Sequence, residues 1–332
     1  GSLEVTPPTG TALSTPFYFS TTRWTDDAED LPLVYVLAYY SVKATSQNIV
    51  KTRDAISYKT ATLGQGLLEN NYLVVGIATA FDNLNSSATA TSSITVTPPA
   101  SADAVLNSTF AALDFALLDS NPSAVQEAVD GALSSVNAVN CTVPTTCSTL
   151  NREICSETAR TCGPCLTGYI GQIGDANVAC LAKTDAVRRL AAANDTTPKS
   201  CPGDCSGQGT CEFTDLYEQP ISICTVSEPS CRARCSCAAG FYGKSCSLGW
   251  EEYQQLTSLR EKLCTSMYAT ISLQDVTPDV VKARGLSISN ILVDISQISD
   301  IALGNCTAAL VETVIAYPVL SCQGPAAALT SK

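Results

Sequence analysis

The sequence predicts a multidomain protein in which an all-β sandwich is followed by a helical pair, two disulfide-rich modules and a C-terminal helical region. Three observations support this prediction. Residues 3–98 contain β-rich runs with a period of two, whereas residues 101–139 and 248–332 repeat at helical spacing. Between the two helical parts, positions 141–246 hold fourteen of the chain's 17 cysteines. The length of 332 residues also favours two or more domains.

Residues 1–100 are predicted to form the sandwich. Short β-rich runs alternate with clusters of Pro, Gly, Asn and Asp, which is typical of a sandwich of immunoglobulin or fibronectin type III shape. The predicted strands are Leu3–Thr6, Phe17–Thr22, Leu33–Tyr40, Ile56–Thr62, Tyr72–Phe81 and Ser92–Thr97.

Two sequence stretches in this region carry a family resemblance. Residues 8–17 read PTGTALSTPF and residues 24–35 read WTDDAEDLPLVY. Over roughly the first 100 residues the chain resembles the receptor-for-egg-jelly (REJ) module. The resemblance implies an ectodomain of the kind found in polycystin-related and fertilisation proteins. Within it, we interpret Trp24 as a core anchor of the sandwich rather than a ligand-stacking residue.

Residues 101–139 predict a pair of helices of about four turns each. The break between them is Asn121-Pro122, and Ser123 is predicted to cap the second helix. One face of each helix is apolar, so the pair is expected to pack on itself or on the sandwich. The apolar positions are Val105, Phe110, Leu113, Leu117 and Leu118, followed by Val125, Ala128, Val129, Ala132, Leu133 and Val136.

Residues 201–247 hold eight cysteines, too many for a segment held by an apolar core alone. Six of them have the order and spacing of an epidermal-growth-factor-like (EGF-like) module, ending in Cys235-Ser-Cys237, a Gly-Phe-Tyr-Gly turn and Cys246. The resemblance implies the pairs Cys201–Cys211, Cys205–Cys235 and Cys237–Cys246, which leaves Cys224 and Cys231 to close on each other within one loop.

Residues 140–180 hold six further cysteines and are predicted to form a degenerate EGF-like module. Glycines flank an aromatic residue after Cys165 much as they do after Cys237. The implied pairs are Cys141–Cys155, Cys147–Cys162 and Cys165–Cys180, one of fifteen possible connectivities. Residues 181–200 are predicted to be a linker. Its last five positions, 196–200, lack the acidic residues that precede calcium-binding EGF-like modules, so no calcium is predicted there.

Residues 248–332 predict further helices, one of which starts at Thr277-Pro278. This part contains Cys264, Cys306 and Cys322. Two of the three are expected to join helices. The third is then free, paired elsewhere in the chain or bonded to another subunit.

Cysteine usage predicts an oxidising compartment, extracellular or at the cell surface. The single CxxC, Cys162 to Cys165, has no second pair beside it, so structural disulfides are favoured over a zinc site. Sequons agree with secretion and predict N-linked glycans at Asn85, Asn107, Asn140, Asn194 and Asn305.

Charge and hydropathy limit the partners. A net charge of −12 argues against nucleic acid, and the longest apolar runs are about half the length of a membrane span. The expected partners are copies of the chain or other extracellular proteins.

Catalytic chemistry is not predicted. The chain has no histidine, so neither a Ser-His-Asp nor a Cys-His pair can form. The acidic run Asp26–Asp30 lacks EF-hand spacing and is interpreted as a solvated loop rather than a calcium site. We therefore predict no enzyme activity, no cofactor and no metal.

Two functions compete. The first is an extracellular structural or adhesive glycoprotein, a subunit of a cell-surface filament or a flagellar appendage such as a mastigoneme. The second is the ectodomain of a polycystin-like or gamete-recognition receptor. The odd cysteine and the lack of predicted catalytic residues favour the first function, and the REJ resemblance favours the second. Of the two, the sequence favours the structural or adhesive glycoprotein.

Overall fold

The computed structural model describes residues 1–41, 44, 47–138, 147–155, 158, 160–183, 197–274, 276–316 and 318. It divides into two compact units. The first unit comprises Gly1–Asn137, Thr257–Val293 and Ile298–Lys332, and the second comprises Ala138–Leu256 and Asp294–Gln297. The cysteine-rich second unit is therefore inserted, along the chain, between two parts of the first.

The strands of the first unit form two sheets. One has three antiparallel strands in the order β1-β3-β6, and the other has five strands in the order β2-β8-β7-β4-β5. The strand bounds are β1 Ser2–Thr6, β2 Thr9–Thr11, β3 Pro16–Thr22, β4 Val34–Tyr40, β5 Asn48–Asp54, β6 Tyr58–Thr62, β7 Leu73–Phe81 and β8 Ser87–Thr97.

One apolar core joins the two sheets. Alternation along β3 turns Phe17 and Phe19 inward, where both are fully buried together with Leu37, Val74 and Ile94 of the larger sheet. After β1 in the smaller sheet the chain crosses to the larger sheet, where β2 runs parallel to β8, with Gly10 opposite Val96. A side chain at Gly10 would collide with Thr15 and Phe17, so this crossing requires glycine.

The sequence pattern does not predict two of the strands, β2 and β5. Strand β2 is three residues long and follows Pro7-Pro8, so it is too short to show a period. Strand β5 reads NIVKTRD, in which a lysine takes a buried position. Lys51 can occupy that position because its ammonium donates to the carbonyls of Tyr35 and Asp54, at 3.2 and 3.3 Å.

The helical pair is α1, Ala102–Leu118, and α2, Pro122–Val136. The prediction that Ser123 caps α2 is wrong. Asn121 is the cap, since its side-chain oxygen accepts from the Ala124 amide at 3.1 Å. Pro122 occupies the first helical position, where a missing N–H costs nothing. Ser123 therefore lies inside the first turn.

Three C-terminal helices complete the described part of the chain: α3, Trp250–Thr270; α4, Pro278–Ile291; and α5, Asp300–Ala316. Thr277 caps α4, and Pro278 begins it, as the sequence predicts. A second apolar core contains buried residues of all five helices, including Leu113, Val129, Leu263, Ile288 and Ala309. Within the first unit, α2 thus packs against the C-terminal helices as well as against β5 and β6.

Short strands and loops make up most of the second unit. The strands are β9 Tyr169–Ile170, β10 Leu181–Ala182, β11 Gly209–Asp215, β12 Pro220–Ile221, β13 Cys231–Cys237, β14 Phe241–Tyr242 and β15 Leu248–Gly249. Strand β11 pairs antiparallel with both β12 and β13. Because these strands form few ladder hydrogen bonds, the second unit depends on its disulfides for much of its stability.

Candidate functional sites

The disulfides of residues 201–246 are built on the β11–β13 ladder. Cys211 lies directly opposite Cys235 in that ladder, so two bonds from one preceding turn reach both strands. Gly240 and Gly243 then turn the chain toward Cys246 with φ values of 88° and 87°, which favour glycine. The structure joins Cys201 to Cys211, Cys205 to Cys235, Cys224 to Cys231 and Cys237 to Cys246.

The preceding cysteine-rich segment is organised around a buried arginine. Arg152 is 2% exposed. Its guanidinium donates to the carbonyls of Val178 at 2.6 Å, Gly174 and Gln172 at 2.9 Å, and Gly163 at 3.0 Å. Burial lowers the pKa of Arg152, and Asp175 opposes that effect. No sequence pattern singles out this arginine.

Two disulfides hold the loops around Arg152: Cys147–Cys162 and Cys165–Cys180. Cys155 is also disulfide-bonded. Its predicted partner, Cys141, lies outside the described residues. Disulfide bonds therefore cross-link both cysteine-rich segments.

In the first unit, Cys264 of α3 is bonded to Cys306 of α5 within the helical core. Cys322, the third C-terminal cysteine, lies outside the described residues. Because 17 is odd, at least one cysteine is left over in any pairing confined to this chain.

The predicted glycosylation sites lie in different environments. Asn85 is exposed in the β7–β8 turn, where its oxygen accepts from Arg53 at 2.8 Å. Asn107 is exposed on α1. Asn305 is half-buried on α5, and its amide donates to Thr265 at 2.9 Å. Asn140 and Asn194 lie outside the described residues.

The acidic loop Asp26–Asp30 is brought close to Asp82 in the β7–β8 turn. Carboxylate oxygens of Asp26, Asp30 and Asp82 lie within 4.8 Å of one another. Asp82 accepts from the amides of Leu84 and Ser86, both at 2.8 Å, so its carboxylate already shapes the turn.

Trp24 is half-buried and packs against the core of the sandwich. Its indole N–H donates to the hydroxyl of Thr21 at 2.6 Å, and its ring is tilted against Tyr35. Both contacts fit the interpretation of Trp24 as an anchor.

A buried polar network connects α2 to α4. The carboxylate of Asp130, which is 5% exposed, accepts from Ser287 of α4 and from Gln126 at 3.0 and 3.1 Å. Burial raises the pKa of Asp130 to about 7, although the hydrogen bonds from Ser287 and Gln126 lower it. Burial also raises the pKa of the neighbouring Tyr39 to about 12. The Asp130 carboxyl therefore changes charge near neutral pH.

An exposed apolar stripe runs along α5. Ile301 is 59% exposed and Ile315 is 72% exposed. Ala308 lies at heptad spacing from both of them. Val311 lies one turn after Ala308, on the same stripe. A side chain added at Gly304 would meet nothing within 4 Å. This stripe offers an apolar contact surface.

Comparison with known families adds one match: the model of the REJ domain matches residues 1–131. The N-terminal part of this chain is a REJ domain. The resemblance noted in the sequence is thereby confirmed, and the match extends beyond the sandwich into α2. No curated protein and no solved structure matches the chain.

The REJ domain points to a polycystin-like extracellular module, and the many disulfides agree with that location. Within the part of the chain that the structure describes, no helix is both long and apolar enough to cross a membrane.

Proposed function

We propose that this chain is a disulfide-braced extracellular module of a polycystin-like or gamete-recognition surface protein, and that it acts through protein–protein contacts. The observation that carries this proposal is the REJ match over residues 1–131. The sequence alone leaned toward a filament subunit. The family match favours the receptor instead, because a REJ domain suggests a polycystin-like extracellular module.

The sandwich supports an immunoglobulin-like assignment within this proposal. Its first strand is split between the sheets, since β1 pairs with β3 whereas β2 runs parallel to β8. The larger sheet then continues β8-β7-β4-β5. Two stacked sheets around one core are typical of immunoglobulin and fibronectin type III domains.

We assign residues 201–247 as an EGF-like module. First-to-third, second-to-fourth and fifth-to-sixth bonds on a two-stranded ladder support this assignment. Residues 140–180 are assigned as a degenerate relative of that module, supported by the Cys147–Cys162 and Cys165–Cys180 bonds. Such modules present loops for contact while their disulfides limit unfolding, each contributing about 2–5 kcal/mol.

A non-enzymatic role is part of the proposal. Asp130, whose pKa burial raises to about 7, is buried between α2 and α4 and accepts hydrogen bonds from Ser287 and Gln126. A carboxyl group that is 5% exposed and joins two helices is a structural element, and structural networks also perturb pKa values, so this shift does not argue for catalysis.

The second candidate function, a subunit of a surface filament or mastigoneme-like appendage, is favoured by two features. The odd number of cysteines leaves one available for an intermolecular bond. The apolar stripe of α5 offers a surface for a neighbouring subunit.

Light scattering and negative-stain imaging of the native protein, with non-reducing gels beside them, separate the two functions. A monodisperse monomer or a compact dimer supports the receptor module. Extended polymers, or ladders that collapse on reduction, support the filament. Thiol titration that finds most cysteines reduced would contradict both.

A further inference from the structure

We propose that a cavity in the first unit binds a carboxylate group carried on a short aliphatic stem. The cavity has a volume of about 260 Å³ and lies among β5, β6, the start of α2 and the start of α4. It combines residues of the REJ domain with Gln274 and Val280, which lie far outside the family match. The cavity therefore belongs to the complete first unit rather than to the matched segment alone.

One cation of the cavity is already neutralised. Lys51 forms an ion pair with Asp54, at 3.6 Å between ammonium and carboxylate, and donates to the carbonyls of Tyr35 and Asp54. Burial lowers the pKa of Lys51, and Asp54 opposes that effect. Lys51 and Asp54 together form a fixed, neutral part of the wall.

A second cation on the wall is available to a ligand. Lys59 of β6 is half-buried, and within the described ranges it has neither a hydrogen bond nor an ion pair. The neighbouring carboxylate, Glu127, attracts Lys59 electrostatically without forming an ion pair. Glu127 does not line the cavity, and it accepts from the amide of Thr62 at 2.7 Å. One unpaired ammonium on a partly desolvated wall favours a monoanion over a dianion.

Two side-chain amides add uncharged hydrogen-bonding groups. The NH₂ group of Gln126 donates to Asp130 and Ser287, so its side-chain oxygen remains available as an acceptor. The side-chain oxygen of Gln274 accepts from the Arg284 guanidinium at 3.3 Å, so its NH₂ group remains available as a donor. A carboxylate oxygen can accept from both Lys59 and the Gln274 amide.

Apart from the hydroxyl-bearing residues Thr52, Tyr58 and Ser123, the rest of the wall is apolar and limits the size of the ligand. Ile49, Ile56 and Val280 line it. A drug-sized ligand usually occupies about 300–1,000 Å³, so this cavity suits a smaller group. A stem of two to four carbons that ends in a carboxylate satisfies the apolar wall and the free ammonium together. Such a group occurs both in free short-chain acids and in a glutamate side chain of a peptide.

Saturation-transfer NMR on the full, disulfide-intact chain tests the proposal. The probes are butyrate, uncharged butyramide, and a short peptide with one glutamate beside its glutamine counterpart. We expect signal from butyrate and none from butyramide. Signal from butyrate alone assigns the site to free acids, and additional signal from the glutamate peptide assigns it to a partner's side chain. Either result supports the site, which does not depend on the proposed function.

Three variants identify the cavity. Lys59→Gln should weaken butyrate binding about tenfold or more, because it removes a charge-assisted hydrogen bond. Glu127→Gln should strengthen binding, because it removes a competing carboxylate. Lys183→Gln, an exposed lysine of the second unit, should change nothing. Absence of signal from every carboxylate, equal signal from butyramide, or unchanged binding in a folded Lys59→Gln protein would overturn the proposal.

Discussion

Asn137 and Arg260 hydrogen-bond to each other, with 2.7 Å between the guanidinium nitrogen and the side-chain oxygen. Asn137 is the last residue of the first unit before the chain enters the second, and Arg260 lies just after it returns at Thr257. The bond spans 123 positions of sequence. The two places where the chain leaves and re-enters the first unit therefore lie close together, as expected where one domain is inserted into another.

Excision of the second unit is expected to leave the first unit folded. We predict that residues 1–137, joined to residues 257–332 through a flexible linker of about eight residues, form a soluble protein. Such a linker reaches about 25 Å, more than an arginine and an asparagine side chain span together. Cooperative thermal unfolding and dispersed amide NMR signals check this, with residues 1–137 alone as the control. A molten spectrum for the joined chain would contradict it.

Arg260 is expected to stabilise the first unit far more than its neighbour Lys262. Arg260 is buried and donates to the carbonyls of Ile291 at 2.6 Å and Asn290 at 3.3 Å, at the end of α4. Arg260→Met leaves these groups unpaired and should cost about 3 kcal/mol or more. Lys262 pairs with Asp114 at the surface, so Lys262→Met should cost less than about 1 kcal/mol. Urea unfolding measures both, and equal losses would refute the distinction.

Local sequence patterns could predict the elements but not the contacts between distant ones. Alternation identified β3 and β7, and Thr277-Pro278 identified the start of α4. Strand β5 was missed because Lys51 occupies a buried position that an apolar residue would otherwise mark. The tie between Asp130 and Ser287 spans 157 positions, and neither residue has a local signal that points to the other.

Asp130 is expected to make the stability of the first unit fall as pH rises from about 4 to about 7. Its pKa is raised from the ordinary value of 3.8 to about 7. The folded state therefore holds a proton that the unfolded state has lost. The stabilisation is complete below pH 3.8 and is lost as pH approaches 7, at up to about 1.4 kcal/mol per pH unit.

The variant Asp130→Asn keeps the size and most hydrogen bonds of the carboxyl group without its titration, so it should flatten this slope. Urea unfolding between pH 4.5 and 7.5 measures the effect. Glu127, whose pKa burial also raises, contributes in the same direction and remains in both proteins. Tyr39 titrates well above this range. The control Asp119→Asn removes an exposed carboxyl just after α1 and should keep the slope. Identical slopes for wild type and Asp130→Asn would contradict the assignment.

Arg152 is expected to hold the loops of the second unit in place even when every disulfide is intact. Arg152→Met removes the donors for four carbonyls, those of Gly163, Gln172, Gly174 and Val178. Leaving buried carbonyls unpaired costs about 1–3 kcal/mol each, less where water enters. Hydrogen exchange measured without reductant should show faster exchange across residues 162–180, whereas β11 and β13 keep their protection. The matched control is the exposed Arg160 of the same segment, and Arg160→Met should exchange like wild type. Unchanged protection in Arg152→Met would mean that the disulfides alone fix these loops.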